Sequence, residues 1–222
     1  MNSLKLDIPF YNAEKFIRKC LLSVLTQNYN NYHIILTNDA STDSSDKIIQ
    51  EIIKMFPNKI TYIKNETRMG AMFNHQRAAF EHCNSSDIVI HLDGDDWLSD
   101  KKALSYIDEF DNKRNVFQFY ISHIRTFKAF LFHDIKRQDP ELNCFKNQQG
   151  EWYSMTCDVA MMYPLMEICG YDKMKYNDKV LYIYNDSNPI QDFKINLQLQ
   201  ESIHREILLK KPFKKIDNEK YF

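Results

Sequence analysis

The sequence predicts an α/β fold, a mainly parallel sheet flanked by helices, and three observations carry that expectation. Short apolar strands alternate with helix-patterned stretches from Leu4 to Leu92. A polar cluster follows the first, second and fourth of these strands. The composition, 44% apolar and 27% charged over 222 residues, suits one domain with a sizeable core and is too apolar for a disordered chain.

Leu4, Leu6 and Ile8 alternate as a strand that Pro9 stops. Asn12 offers a cap for a helix whose apolar positions Phe16, Ile17, Cys20, Leu21, Val24 and Leu25 recur at helical spacing. His33 to Thr37 reads as a second buried strand. The polar turn Asn38 to Asp43 supplies caps for a helix carrying Ile48, Ile49, Ile52, Ile53 and Met55, closed by Pro57. Ile60 to Ile63 makes a third strand, Gly70 a turn, Met72 to His82 a helix, and Ile88 to Leu92 a fourth strand. This βαβαβαβ order implies right-handed crossovers, with ligands beyond the carboxyl ends of the strands. Further on, the expected elements are a helix near Lys102 to Phe110, a strand near Val116 to Ser122, a helix over Asp158 to Cys169, a strand at Val180 to Tyr184 and a helix from Asn196 to Leu209. Phe127 to Tyr153 shows no clear period. No internal repeat or linker interrupts the chain, so residues 1–222 are expected to form a single domain.

With 29 basic and 30 acidic residues the formal net charge is −1, and no basic face stands out to neutralise a phosphate backbone, so a nucleic-acid partner is not expected. The dense basic stretch Lys210, Lys211, Lys214 and Lys215 reads as a solvated tail or a peripheral contact with an anionic membrane. The five cysteines make no CxxC pair and no zinc spacing, which fits reduced thiols in the cytoplasm. No signal peptide and no membrane-length apolar run is visible, so the expectation is a chain neither secreted nor transmembrane.

Asp93-Gly94-Asp95-Asp96-Trp97 places three carboxylates at the exit of the fourth strand. Such crowding is repulsive unless a cation or hydrogen bonds offset it. Mg²⁺ or Mn²⁺ suits the cluster, because a hard divalent ion takes one or two carboxylates and completes its shell with water and diphosphate oxygens. The competing reading is an acidic turn that caps the next helix through Asp96 or Ser99. Asp39 follows the second strand, where it serves either as acceptor for a base or ribose or as a turn cap. Pro9, Phe10 and Tyr11 either flank a nucleobase or stop the strand. Arg68 and Arg77 face either a nucleotide or surface partners. His91 reads as a satisfied core residue, and no histidine is singled out as a ligand.

Taken in order, Ile8-Pro9-Phe10-Tyr11-Asn12, Thr37 to Asp43, Gly70 and His91 to Leu98 resemble a family 2 glycosyltransferase of the GT-A, Rossmann-like, fold. The resemblance implies a nucleoside-diphosphate sugar as donor, by default UDP-linked, with residues 1–100 as the nucleotide-sugar half and 101–222 as the half that binds a carbohydrate, glycoconjugate or protein acceptor. It implies that Pro9, Tyr11 and Asp39 bind the nucleoside, that Asp93 lies near the ribose, and that Asp95 holds the metal. Arg68 and Arg77 are expected on the nucleotide, and Trp97 and Trp152 on sugar rings. Two departures stand out. Where many relatives carry Ala-Arg-Asn after the glycine turn, this chain reads Asn74-His75-Gln76-Arg77. Where many place the catalytic base in a Glu-Asp pair, the nearest equivalent is Asp158, ahead of Glu167 and Asp139. Two rival readings are a nucleotidyltransferase, which a glycine-free first turn disfavours, and a non-catalytic nucleotide-sugar-binding module.

Overall fold

The computed structural model describes residues 3–114, 117–118, 124–189, 194 and 196–216. Five strands form the central sheet: β1 (Leu4–Phe10), β2 (Tyr32–Asn38), β3 (Ile60–Lys64), β4 (Ile88–His91) and β7 (Arg125–Lys128), in the order β3-β2-β1-β4-β7. The first four are parallel, and β7 runs antiparallel to β4. Helices α1 (Ile17–Leu25), α2 (Ser45–Met55) and α3 (Ala71–His82) are the three crossovers. The α/β expectation therefore holds, as does the order of its first seven elements.

The period of two in the strands sorts the core onto two faces. Leu4, Leu6, Ile8, Ile34, Leu36, Ile88 and Ile90 pack with α1, α2 and α4 (Ala103–Arg114), while Ile35, Val89 and Phe127 pack with α3, α5 (Ala129–Gln138) and α6 (Cys157–Cys169). Each fully buried aliphatic side chain contributes about 1.5–3 kcal/mol, so both faces anchor the sheet. Asp7, His91 and Arg125 are buried polar residues in register with one another across β1, β4 and β7.

Several local expectations are corrected. Asn12 does not cap α1: Phe16 stands at that cap, and Asn12 adopts φ 47° with its side-chain oxygen accepting from Thr42 N at 2.8 Å. Phe127 to Tyr153, which looked aperiodic, holds the end of β7, all of α5 and a 3₁₀ turn at Asn143–Phe145. The strand expected at Val180 to Tyr184 shrinks to β9 (Tyr182–Ile183), because its partner β5 (Trp97–Leu98) is two residues long. Of the strand expected near Val116 to Ser122, β6 (Phe117–Gln118) is described, pairing with β8 (Met174–Lys175), and the rest lies outside the described residues. The last helix, α7, spans Leu197–Leu208 with Asn196 Oδ1 capping Leu199 N at 3.0 Å.

The basic stretch is docked rather than a solvated tail. Lys210 Nζ donates to the Asn143 and Lys146 carbonyls at 3.1 and 2.6 Å, Lys215 Nζ pairs with Asp172 at 2.6 Å, and Phe213 and Ile216 pack against the core. All five cysteines are buried thiols, none of them in a disulfide. Among the described residues no helix is long and apolar enough to cross a membrane.

Candidate functional site

Parallel pairing brings the polar clusters to one edge. Phe10 pairs with Asn38, Asp39 N donates to Phe10 O at 2.9 Å, and Leu92 N donates to Asp7 O at 3.2 Å. The Pro9–Tyr11, Asp39 and Asp93–Asp96 segments therefore leave β1, β2 and β4 side by side at their carboxyl ends, where an open α/β sheet takes its ligand.

Asp39 is held at both carboxylate oxygens. Oδ1 accepts from Asn65 Nδ2 and Met69 N, both at 2.9 Å, and Oδ2 from Gly70 N at 3.0 Å and Arg68 Nε at 3.2 Å. Burial pushes its proton affinity up, but hydrogen bonds from Met69 N, Asn65 and Gly70 N outweigh it and hold the carboxyl below its ordinary value. Gly70 gives its N–H from φ +85°, a conformation that disfavours other residues. Arg68 Cζ lies over the Tyr11 ring, 3.6 Å from its centroid, so the arginine links the two expected nucleoside residues, Tyr11 and Asp39. Arg77 is a step removed: Nη1 reaches Asn65 Oδ1 at 3.2 Å and Nε pairs with Glu81 at 3.1 Å, so it meets Asp39 through Asn65. Pro9 is buried within β1.

The three carboxylates of the acidic loop separate in role. Asp96 turns inward to 1% exposure, accepting from Tyr182 Oη at 2.5 Å and Asn185 N at 2.6 Å. Burial pushes its carboxyl up to about 6, with Asp93 and Asp95 adding to the rise and those hydrogen bonds opposing it. Asp93 and Asp95 stay half-buried at the edge. Tyr182 Oη lies 3.4 Å from Asp93 Oδ2, and Asn188 Nδ2 donates to Asp95 Oδ2 at 2.6 Å. Tyr182, Asn185 and Asn188 thus lay a strap over the loop, and sequence reasoning missed all three; a strand signal at Val180 to Tyr184 was visible, but not its partner. Gly94 is required by space, since a Cβ there would stand 2.4 Å from Phe10 Cβ.

Beneath the loop, Asp7, His75 and His91 bring their ligand atoms within 4.8 Å of one another. This corrects the expectation that no histidine would be a candidate ligand. Asp7 Oδ2 meets His75 Nδ1 at 2.7 Å and His91 Nε2 at 3.5 Å, while Asp7 Oδ1 accepts no hydrogen bond among the described residues. The spacing would admit a metal ion, yet the rings stack at 4.5 Å and 16°, so their lone pairs run in separate planes, and the positive Arg125 acts on His75. A shared proton suits that geometry better than an ion. Burial would lower the proton affinity of His75, and the Asp7 carboxylate overrides it to leave it raised.

Asp158 lies in the first turn of α6, with Thr156 at the N-cap position. Its Oδ2 meets Nη2 of the buried Arg125 at 2.9 Å, and Arg125 stands in register with His91, two residues before Asp93, across β7 and β4. Glu167 accepts from Phe213 N at 2.8 Å and Asp139 from Cys144 N at 2.8 Å; both fix local backbone. Trp97 carries Lys19 Nζ 3.2 Å from its ring centroid, and Trp152 has Lys146 at 4.8 Å and Phe73 edge-on at 5.7 Å.

The family model of glycosyl transferase family 2 matches residues 8–165. The chain is 38% identical over 91 residues to Glycosyltransferase GlyA of Streptococcus pneumoniae serotype 4, covering 41% of this chain and 12% of that one. It is 32% identical over 112 residues to the teichoic acid poly(glycerol phosphate) polymerase of Staphylococcus epidermidis, covering 50% of this chain and 15% of the relative. The chain thus spans less than a sixth of the length of either relative. The solved structure of S. aureus TarS 1-349 in complex with UDP superposes with a TM-score of 0.62 at 16% identity, covering 84% of this chain and 61% of that one, a likeness of fold.

Proposed function

Because the chain belongs to glycosyl transferase family 2, we infer that it transfers a sugar from a UDP-linked donor to an acceptor hydroxyl, with inversion and with a divalent metal. The observation that carries this reading is the meeting of Tyr11, Arg68 and Asp39 with the Asp93–Asp96 loop at the carboxyl ends of adjacent parallel strands.

Asp39, kept ionised, accepts an N–H of the nucleoside in place of one of its present donors, while Tyr11 and Arg68 offer flat surfaces to the base. Asp93 lies toward the ribose. Asp93 and Asp95 supply the hard oxygen donors that Mg²⁺ or Mn²⁺ prefers, and Asp95 would hold it. When bound, such an ion stabilises the charge of the departing diphosphate. Asp158, at the half-exposed start of α6, removes the acceptor proton as the anomeric centre gains oxocarbenium character. Arg125 fixes where that carboxylate stands. The UDP complex of TarS supports the choice of nucleotide by likeness of fold.

The test is thermal unfolding with UDP, GDP and dTDP, each with Mg²⁺ or Mn²⁺. A ligand bound by the native state raises Tm by mass action, so UDP with metal should shift it and a chelator should remove the shift. No shift with any of the three nucleotides would refute the donor site.

A further inference from the structure

The segment that follows α7 is held as an arm along the end of α6 that lies away from Asp158. Phe213 N donates to Glu167 at 2.8 Å, Lys214 N to Gln138 Oε1 at 2.9 Å, and Ile216 N to the Ile168 carbonyl at 2.9 Å. Asp158 is in the first turn of α6 and Glu167 in the last, so about 14 Å of helix separates the arm from the proposed base.

These anchors sort the arm into two sides. Phe213 and Ile216 pack against the core, Lys210 bonds the Asn143 and Lys146 carbonyls, and Lys215 pairs with Asp172. Leu208, Leu209, Lys211, Pro212 and Lys214 are exposed. Residues 208–216 include four lysines and no carboxylate. The carboxylates that touch the arm meet its inner residues: Glu206 meets Lys210, Asp172 meets Lys215, and Glu167 accepts from the Phe213 amide. Lys211 and Lys214 therefore carry its outward charge.

Leu209, 86% exposed, and Tyr171, 83% exposed, are the two most exposed large apolar side chains among the described residues. Both flank this arm. Leu209 opens it, and Tyr171 stands between Gly170, which the Lys215 side chain passes, and Asp172, which Lys215 grips at 2.6 Å. Cations beside exposed apolar side chains call for a partner that suits both. A free anion meets the lysines alone, and a two-fold contact with a second copy would set the same cations against one another. An anionic bilayer supplies phosphates for lysine and a headgroup boundary where leucine and tyrosine settle.

We propose that this arm is a peripheral docking surface for an anionic lipid bilayer, with Leu209 and Tyr171 entering the interface and Lys211 and Lys214 on the lipid phosphates. It is independent of the donor-site reading above, since none of these side chains belongs to that edge.

The probe is co-sedimentation of the full chain with vesicles of equal parts phosphatidylglycerol and phosphatidylcholine, against vesicles of phosphatidylcholine alone. The protein should sediment with the first and not with the second. Partition should weaken as salt rises from about 0.1 M to about 1 M, where the screening length falls from about 10 Å to about 3 Å. Lys211→Gln combined with Lys214→Gln should weaken it about thirtyfold, at about fivefold for each lysine near the surface. Leu209→Ser combined with Tyr171→Ser should weaken it too, leaving a residue of binding that high salt removes. Because all four side chains are exposed, Tm should match the wild type in both variants. Absence of binding to the anionic vesicles, equal binding to both kinds, or undiminished partition in either variant overturns the proposal. So does a dimer, seen by sedimentation equilibrium without vesicles, that Leu209→Ser dissociates, because the face would then belong to a second copy.

Discussion

Gly94→Ala is the sharpest perturbation the structure offers. The added Cβ would lie 2.4 Å from Phe10 Cβ, 3.3 Å from the Pro9 carbonyl oxygen and 3.5 Å from Ile17 Cδ1. Carbon pairs rest about 3.5–4.0 Å apart, so the first contact must open by more than an ångström. Phe10 cannot yield by changing rotamer, because its Cβ is fixed to the last residue of β1. The acidic loop must therefore move off β1, carrying Asp93 and Asp95 with it. Overpacking of this kind costs about 1–3 kcal/mol, and at about 2–4 °C per kcal/mol for a chain of this size Tm should fall by about 2–12 °C. UDP affinity with Mg²⁺ should fall as well, since the displaced loop is the donor edge. Gly70→Ala separates strain from overpacking: nothing lies within 4 Å of its Cβ, yet φ +85° with ψ 158°, a region essentially reserved for glycine, imposes about 1–3 kcal/mol of backbone strain. Calorimetry and nucleotide titration read both effects. A Gly94→Ala protein that melts within a degree of wild type and binds UDP equally well would refute the close approach.

Asp95→Asn should abolish the metal-dependent part of nucleotide binding with the far-ultraviolet dichroism unchanged, and retained metal dependence would place the ion elsewhere. Asp158→Asn should leave UDP affinity intact while kcat falls about 10²–10⁴-fold, the usual worth of a positioned base; near wild-type kcat would exclude it. Asp39, held below its ordinary 3.8, contributes stability that is present above that value and lost as pH falls through its lower folded value. Melting curves of nucleotide-free protein at pH 5 down to pH 2 should therefore decline less steeply for Asp39→Asn, and an identical decline would remove Asp39 from the acid transition.

The first half of the fold was legible because its signals are local. Buried parallel strands read as apolar runs, and α1 and α2 repeat Ile, Leu and Val at the spacing that their buried faces require. The second half hides its elements in tertiary context. β7 is written Arg125-Thr126-Phe127-Lys128, polar by composition, and it becomes a strand because β4 offers it an antiparallel edge. β5 and β9 exist as strands through each other alone, at two residues apiece.

The same division governs the site. Asp39 and the acidic loop were visible as carboxylates after strands, since strand order alone sets where they emerge. What each carboxylate does depends on partners far away in sequence, and no local pattern contains them. Asp93, Asp95 and Asp96 are equivalent by residue type, yet Asp96 is buried under Tyr182 and Asn185 while Asp93 and Asp95 keep to the edge. The strap thus reduces a repulsive triplet to two edge carboxylates by hydrogen-bonding the third inside. Asp7 and His75 were illegible for a related reason: a charged residue within an apolar strand reads as an error of pattern until register sets it opposite His91 and α3 lowers His75 onto it. Buried polar groups of that kind are tolerated where each has a partner, which makes their pairing a property of the assembled sheet and not of any one segment.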